Sequence, residues 1–283
     1  MRYTRTRYVG QEQQPTLLTP RLPAAAPYVN AVLHSFVQQW KQMFVPSGLF
    51  GPVISAVGPG IVFGYVAGRG DNPTAVSYVF VGVALSMIWN MGIFRTGWSL
   101  ANEHAMGTLD LMLTTRTPVA LIMLGKALAI IAFVSIGGVV AFLLVLAVSR
   151  QAPQLDNAAL FLASGCVALV AVIAMCFVFA PFSFIAGVRG GFFNALMPFG
   201  SVVSGFLYPI DVLPASLEAV ARLLPTAWAM QAVIESIDGG SDATILLHLG
   251  IALALSAALI AAACLLFVEA ERRVRLSGNL GLV

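Results

Sequence analysis

The sequence predicts an all-α polytopic membrane protein. Of its 283 residues, 59% are hydrophobic and 10% are charged, whereas soluble domains carry about 25% charged residues. The hydrophobic residues are gathered in long runs, and a helix needs about 20 of them to cross the hydrocarbon layer. A net charge of +3 is too small to indicate nucleic acid binding. The composition therefore favours a chain that is solvated mainly by lipid.

The N-terminal region predicts a tail followed by a surface helix. Residues 1–27 are polar, contain several prolines and lack an apolar core, so we expect a disordered cytosolic tail and no cleavable signal peptide. Over residues 28–46, apolar side chains recur at three- and four-residue spacing opposite several glutamines, with Trp40 near the end. This pattern is typical of an amphipathic helix at the membrane interface. The first half of a broken span is the alternative.

Six apolar runs predict six membrane spans. They cover residues 50–67, 76–97, 119–148, 158–187, 191–209 and 245–268. The third and fourth runs are longer than a span requires, which predicts tilt or extension beyond the bilayer. In the first run, Gly60, Gly64 and Gly68 recur every four residues. Small residues at this spacing allow close helix packing, either in a dimer contact or inside the chain.

The basic residues predict that both termini face the cytosol. With six spans, twelve of them fall on the side of the termini and three on the other side, and cytosolic loops of membrane proteins are enriched in Lys and Arg. The twelve are Arg2, Arg5, Arg7, Arg21, Lys41, Arg95, Arg116, Lys126, Arg189, Arg272, Arg273 and Arg275. The three are Arg69, Arg150 and Arg222. A C-terminal tail over residues 269–283 would also be cytosolic.

The region before the last run, residues 209–236, predicts a re-entrant helical hairpin. Its prolines separate two short amphipathic runs that are too polar and too interrupted to span a membrane. Two short helices dipping into the outer leaflet would satisfy their backbone hydrogen bonds better than an extended loop. An ordinary external loop is the alternative.

No residue pattern indicates catalysis or ion-driven transport. Gly125-Lys126 lacks the remainder of a phosphate-binding loop, and the cysteines and histidines lack metal-ligand spacing. No carboxylate lies in the centre of a predicted span, although ion-coupled carriers generally need one. We therefore expect no enzyme activity, cofactor or metal in this chain, and an energy source in a separate protein. A channel or ion-driven carrier and a membrane-bound enzyme are the alternative classes.

Two sequence blocks carry a resemblance to a known family. Residues 103–113 read EHAMGTLDLML and are closed by Thr117-Pro118; this polar segment, residues 99–117, resembles the cytosolic coupling segment of ABC-2-type transporter permeases. The second block resembles that family's element before the last span. It consists of Tyr208-Pro209, Leu213-Pro214 and Leu224-Pro225-Thr226. The order of the blocks and the predicted topology match the family over residues 28–268.

The resemblance implies a permease subunit of an ATP-driven exporter in the bacterial inner membrane. Residues 47–268 would be its transmembrane domain. Two permeases, identical or related, would assemble in the lipid bilayer with two copies of a cytosolic ATP-binding-cassette ATPase. ATP and Mg would be bound by that partner and not by this chain.

The resemblance also implies a role for the coupling segment. Glu103 and Asp110 would offer charge to the ATPase, and Leu109 and Leu111 would offer apolar anchors. The residues themselves predict the shape of this segment: Gly107 next to Thr108, flanked by carboxylates, indicates a tight turn with a capped short helix.

The cargo implied by the resemblance is a hydrophobic or amphiphilic compound, such as a drug, an antibiotic or a lipid. A lipid-linked polysaccharide or glycolipid is the alternative. Four aromatic residues could line its route or could simply face lipid. They are Phe182, Phe193, Phe199 and Phe206.

Overall fold

The chain is almost entirely helical over the residues that the structure describes. This computed structural model describes residues 26–70, 73–108, 112, 114–115, 117–150, 157–186 and 190–277. These residues contain nine α-helices and one short 3-10 helix, Ile210–Val212, which confirms the predicted all-α class. The α-helices are α1 (Ala26–Met43), α2 (Pro46–Ala67), α3 (Pro73–Ala105), α4 (Val119–Ser149), α5 (Ala158–Ile185), α6 (Gly190–Val203), α7 (Ala215–Ala221), α8 (Pro225–Asp238) and α9 (Asp242–Ser277).

Five helices in the described part of the chain are long and apolar enough to cross a membrane. They contain the segments Gly48–Ala67, Val76–Leu100, Val119–Ser149, Ala158–Ser183 and Asp242–Arg273. These five agree with five of the six predicted spans. The last helix continues to Ser277, past the predicted end of the sixth span at residue 268.

The fifth predicted span, residues 191–209, is a shorter helix than the sequence predicts. Helix α6 has 14 residues, and at about 1.5 Å per residue it is about 21 Å long, less than the hydrocarbon core of about 30 Å. The helix ends before Gly205, which adopts a positive φ of 71°, a conformation that glycine takes without the steric strain of a Cβ. A crossing of the membrane by this segment stays a prediction.

Helix α3 lies at the centre of the bundle. It packs against α2, α4, α5, α6 and α8, and it contributes Trp89, which is 1% exposed, to the main apolar core. The Trp89 indole N–H donates to the carbonyl of Met197 at 3.1 Å, which ties α6 to α3. Because α3 contacts so many neighbours, a displacement of α3 must be accommodated across the whole bundle.

The two ends of α3 define two ends of the molecule. Glu103 is close to the C-terminus of α3, and Ser77 is close to its N-terminus. We call these the Glu103 end and the Ser77 end. Helix α1 lies at the Glu103 end, where Trp40 makes an edge contact with Phe133 of α4. A location of α1 in the membrane interface stays a prediction.

Three glycines at four-residue spacing lie against α4 of the same chain: Gly60 and Gly64 of α2, and Gly68 just after it. A Cβ at Gly60 would come within 2.8 Å of Leu144, and one at Gly64 would come within 2.8 Å of Val148. A Cβ at Gly68 would come within 3.1 Å of the carbonyl of Ser149. The small residues therefore permit close packing inside the chain. A dimer contact at these positions stays a prediction.

Candidate functional site

The buried ion pair at the Glu103 end joins two helices. Glu103 of α3 and Lys126 of α4 are 8% and 7% exposed, and the Lys126 ammonium donates to Oε1 of Glu103. The two residues are 23 positions apart in the sequence. A buried charge is costly unless it is paired, so the pair fixes the end of α3 to one face of α4.

Thr108 adds a third contact to this ion pair. Its hydroxyl lies 2.5 Å from Oε2 of Glu103 and 3.1 Å from the Glu103 carbonyl oxygen. Gly107, just before it, has a positive φ of 69°, which is the usual conformation for glycine directly after a helix. The chain thus turns back at Gly107 and places Thr108 against the last turn of α3. We call Glu103, Thr108 and Lys126 the Glu103 cluster.

The C-terminal part of the predicted coupling segment, residues 99–117, leads into contacts at the start of α4. Met112 packs on an apolar cluster that includes Val119 and Met123. The backbone N–H of Val119, the first residue of α4, donates to Oε1 of Glu271 on α9 at 2.9 Å. A carboxylate at a helix N-terminus is favourable because it satisfies a free N–H and faces the positive end of the helix dipole. Two described residues between α3 and α4, Thr108 and Met112, therefore both contact the helical bundle.

The predicted coupling residues are placed only in part. Glu103 is buried, with both carboxylate oxygens in contact with other residues of this chain, and Gly107 is exposed. Leu109, Asp110 and Leu111 lie outside the described residues. Contact of this segment with an ATPase stays a prediction. The sequence reasoning missed the partner role of Lys126, although a lysine inside an apolar helix is a signal that a carboxylate lies nearby.

The residues of the predicted hairpin mark the boundaries of short helices at the Ser77 end. Pro209 precedes the 3-10 helix, Pro214 precedes α7, and Pro225 is the first residue of α8. Leu213 packs against the small apolar cluster beneath them, and Tyr208 is partly exposed. Insertion of these helices into a bilayer stays a prediction.

The four aromatic residues of the predicted cargo route have different environments. Phe182 and Phe199 are 40% and 52% exposed, whereas Phe206 is 1% exposed and makes an edge contact with Trp89. The side chain of Phe193 lies outside the described residues. No group of three or more His, Cys, Asp or Glu side chains that could hold a metal occurs in the described ranges.

The fold and this arrangement of polar residues define the class of the protein. An apolar bundle with at least five helices of membrane-spanning length, joined at one end by a buried ion pair, is a multi-pass membrane protein whose polar contacts connect helices. The family model of the ABC-2 type transporter matches residues 31–237. Since this is most of the chain, the protein belongs to that family and is the membrane permease component of an ABC transporter. Among the curated proteins, none matches this sequence.

The family match has two consequences. ABC-2 permeases are membrane transport components that are generally non-catalytic, and they normally pair with an ATP-binding-cassette ATPase. The matched residues begin within α1 and end one residue before the end of α8, so they include the whole Glu103 cluster, whereas α9 follows them.

Proposed function

We propose that the chain is the permease subunit of an ATP-driven exporter in the bacterial inner membrane. Its cargo is a hydrophobic or amphiphilic compound such as a drug, an antibiotic or a lipid. Two ATPase subunits bind ATP and Mg at the Glu103 end, and a second permease completes the transporter. Membership of the ABC-2 family and the excess of basic residues on the side of the termini support this proposal.

The Glu103 cluster is the observation that carries the mechanism. The segment 99–117 docks on the ATPase, and ATP hydrolysis displaces it. Thr108 contacts Glu103, and Glu103 pairs with Lys126, so a displacement of the turn moves α3 and α4 together. Packed helices shift as rigid bodies. Helix α1 follows α4 because the two helices are in close contact at Gly125. A Cβ at this position would collide with the backbone carbonyl of Val32 in α1.

Replacement of the ion pair by neutral residues of similar size tests this mechanism. The double variant Glu103→Gln/Lys126→Met leaves no unpaired charge, so it should fold. With the copurified ATPase in proteoliposomes, we expect ATP hydrolysis to persist while transport of a hydrophobic fluorescent compound falls about tenfold or more, a loss of about 1.4 kcal/mol of coupling or greater. Copurification of a cytosolic ATPase with the tagged chain is the first step of this experiment.

The matched control is the double variant Glu218→Gln/Arg222→Met, which removes an ion pair at the Ser77 end. It should transport at the wild-type rate. Normal transport by the Glu103/Lys126 variant would exclude the proposed role of the cluster. Failure to recover any ATPase with the wild-type chain would contradict the proposed assembly.

We also propose six spans, with α7 and α8 forming a hairpin that re-enters the bilayer. The burial of α8 against α3, α5 and α9 supports this topology. Single cysteines placed along residues 217–235 of the chain should react with a water-soluble maleimide at few positions. Uniform labelling of all positions would identify an ordinary external loop instead.

A further inference from the structure

A groove opens between α1 and α3 at the Glu103 end. Its volume is about 470 Å³, and its lining includes Gln39 and Gln42 of α1 together with Arg95, Trp98 and Asn102 of α3. Four of these five side chains can donate hydrogen bonds through an amide or a guanidinium, and the Trp98 indole can donate one more. The groove is therefore rich in donors.

Arg95 gives the groove a positive charge that no carboxylate in the described part of the chain compensates. It lies in the apolar segment Val76–Leu100 and forms no ion pair with any carboxylate of the described ranges. Its guanidinium carbon is 5.7 Å from the centre of the Phe133 ring. A Cβ at Gly51 would lie 3.7 Å from the guanidinium, so the α2 backbone passes close by.

Glu103 also lines the groove, but its charge is already neutralised. Its two carboxylate oxygens contact Lys126 and Thr108, and Lys126 itself is not among the lining residues. Arg95 therefore determines the net charge that a ligand in the groove would meet. A cation within an apolar segment is costly and usually marks a functional site.

One side of the groove is apolar and open. Phe94 and Trp98 are 37% and 42% exposed, and their ring centres are 6.3 Å apart. Both residues belong to a helix of membrane-spanning length, and aromatic side chains are common at the boundary between lipid tails and headgroups. The groove thus combines a charged, donor-rich interior with an apolar wall.

We propose that this groove binds the anionic headgroup, phosphate or carboxylate, of an amphiphile in the adjacent membrane leaflet. The planar guanidinium of Arg95 pairs with two headgroup oxygens, and the amides of Gln39, Gln42 and Asn102 supply neutral donors. The apolar chain of the ligand lies against Phe94 and Trp98. The identification of this ligand with the cargo rests on the proposed export function, whereas the binding itself does not.

Binding can be measured on the purified full-length permease without its ATPase. In nanodiscs of phosphatidylcholine, native mass spectrometry should show retention of added phosphatidylglycerol with the same acyl chains. Arg95→Gln should reduce that retention about tenfold or more, because it removes the charged hydrogen-bond donor that the headgroup would contact. Arg222→Gln, which removes an exposed arginine at the Ser77 end, should retain the lipid as wild type does.

Two results of this experiment would overturn the proposal. One is equal retention of phosphatidylglycerol by wild type and Arg95→Gln, and the other is equal retention of phosphatidylglycerol and phosphatidylcholine by wild type. Complete displacement of the lipid by millimolar inorganic phosphate would show that the apolar chain adds nothing to binding, and would identify a site for free anions instead of one for an amphiphile.

A second pair of variants avoids any effect of Arg95 on folding. Gln42→Glu places a carboxylate in the groove at an exposed position of α1, where it should compete with the headgroup for Arg95 and reduce retention. Gln38→Glu adds the same charge at another exposed position of α1, outside the groove lining, and should not reduce it. Equal retention by the two variants would contradict the proposal.

If the bound amphiphile is the cargo, Gln42→Glu should also lower its transport by the assembled transporter, while Gln38→Glu should not. Reduced binding with unchanged transport would overturn the cargo identification and leave the site as a lipid site. Loss of ATPase association in wild type would instead contradict the proposed function and would not affect the binding result.

Discussion

The Glu103 end and the Ser77 end of the bundle differ in how deeply their ion pairs are buried. At the Glu103 end, the side chains of Lys126 and Glu103 are 9% and 11% exposed, and their pair joins different helices. At the Ser77 end, Arg222 and Glu218 are 54% and 27% exposed and lie one helical turn apart. Exposed pairs contribute at most about 1 kcal/mol, whereas loss of one partner from a buried pair costs about 3–5 kcal/mol.

This difference indicates which end can transmit a movement. A buried pair between α3 and α4 resists separation, so the two helices behave as one unit. The ion pair of Arg222 with Glu218 lies within one helical turn and is open to water, as is the second contact of Arg222, with Asp211 of the 3-10 helix at 3.9 Å. The Ser77 end instead contains partly exposed contacts between helices, such as the 3.0 Å contact of His248 with Glu235. We infer that the Glu103 end is the mechanically stiff end.

The largest expected effect tests this contrast directly. Lys126→Met leaves the Glu103 carboxylate buried without its cation and should destabilise the detergent-solubilised protein by about 3–5 kcal/mol. Arg222→Met, its control at the Ser77 end, should cost less than about 1 kcal/mol. Denaturant unfolding followed by tryptophan fluorescence measures both. Similar losses for the two variants would remove the contrast between the ends.

A smaller effect is expected from a buried hydrogen bond at the Ser77 end. The Thr226 hydroxyl donates to the Ser204 hydroxyl at 3.0 Å, and both residues are buried. Thr226→Val should destabilise the protein by about 1–2 kcal/mol, because it leaves the Ser204 hydroxyl without this partner.

The control for this substitution is Thr244→Val, since Thr244 is exposed. It should change stability by less than about 0.5 kcal/mol in the same unfolding measurement. If Thr226→Val proved as costly as Lys126→Met, the Ser77 end would be as rigid as the Glu103 end.

The long helices could be predicted from the sequence because lipid solvation requires long apolar runs. This requirement alone predicts the five helices that are long and apolar enough to cross a membrane. The length of α6 could not be predicted, since Phe206 and Leu207 continue the apolar run beyond the end of the helix. The chain leaves the helical conformation at Gly205, which has a positive φ. Because glycine is also common inside membrane helices, its presence in the sequence does not mark the end of a helix.

Of the two residues of the buried ion pair, only Glu103 could be predicted from the sequence as part of the candidate site. The polar segment containing Glu103 stands out in an apolar sequence, and its position between two runs indicates an exposed connection. That Glu103 instead turns inward depends on Lys126, whose orientation is fixed by the packing of α4. Sequence spacing does not specify such contacts between helices. In the sequence, Arg95 is one of twelve basic residues on the side of the termini. Only the packing around it shows that it forms no ion pair with a carboxylate of the described ranges.

The contact of Glu271 with the first N–H of α4 has a consequence for exchanging parts between permeases. Helix α9 follows the segment that the family match covers, yet its carboxylate completes the N-terminus of α4. A chimaera that carries the last helix of another permease would need an acid at this position to keep α4 starting at Val119. The last helix is thus long enough to cross a membrane and also contributes a carboxylate to the junction next to the predicted coupling segment.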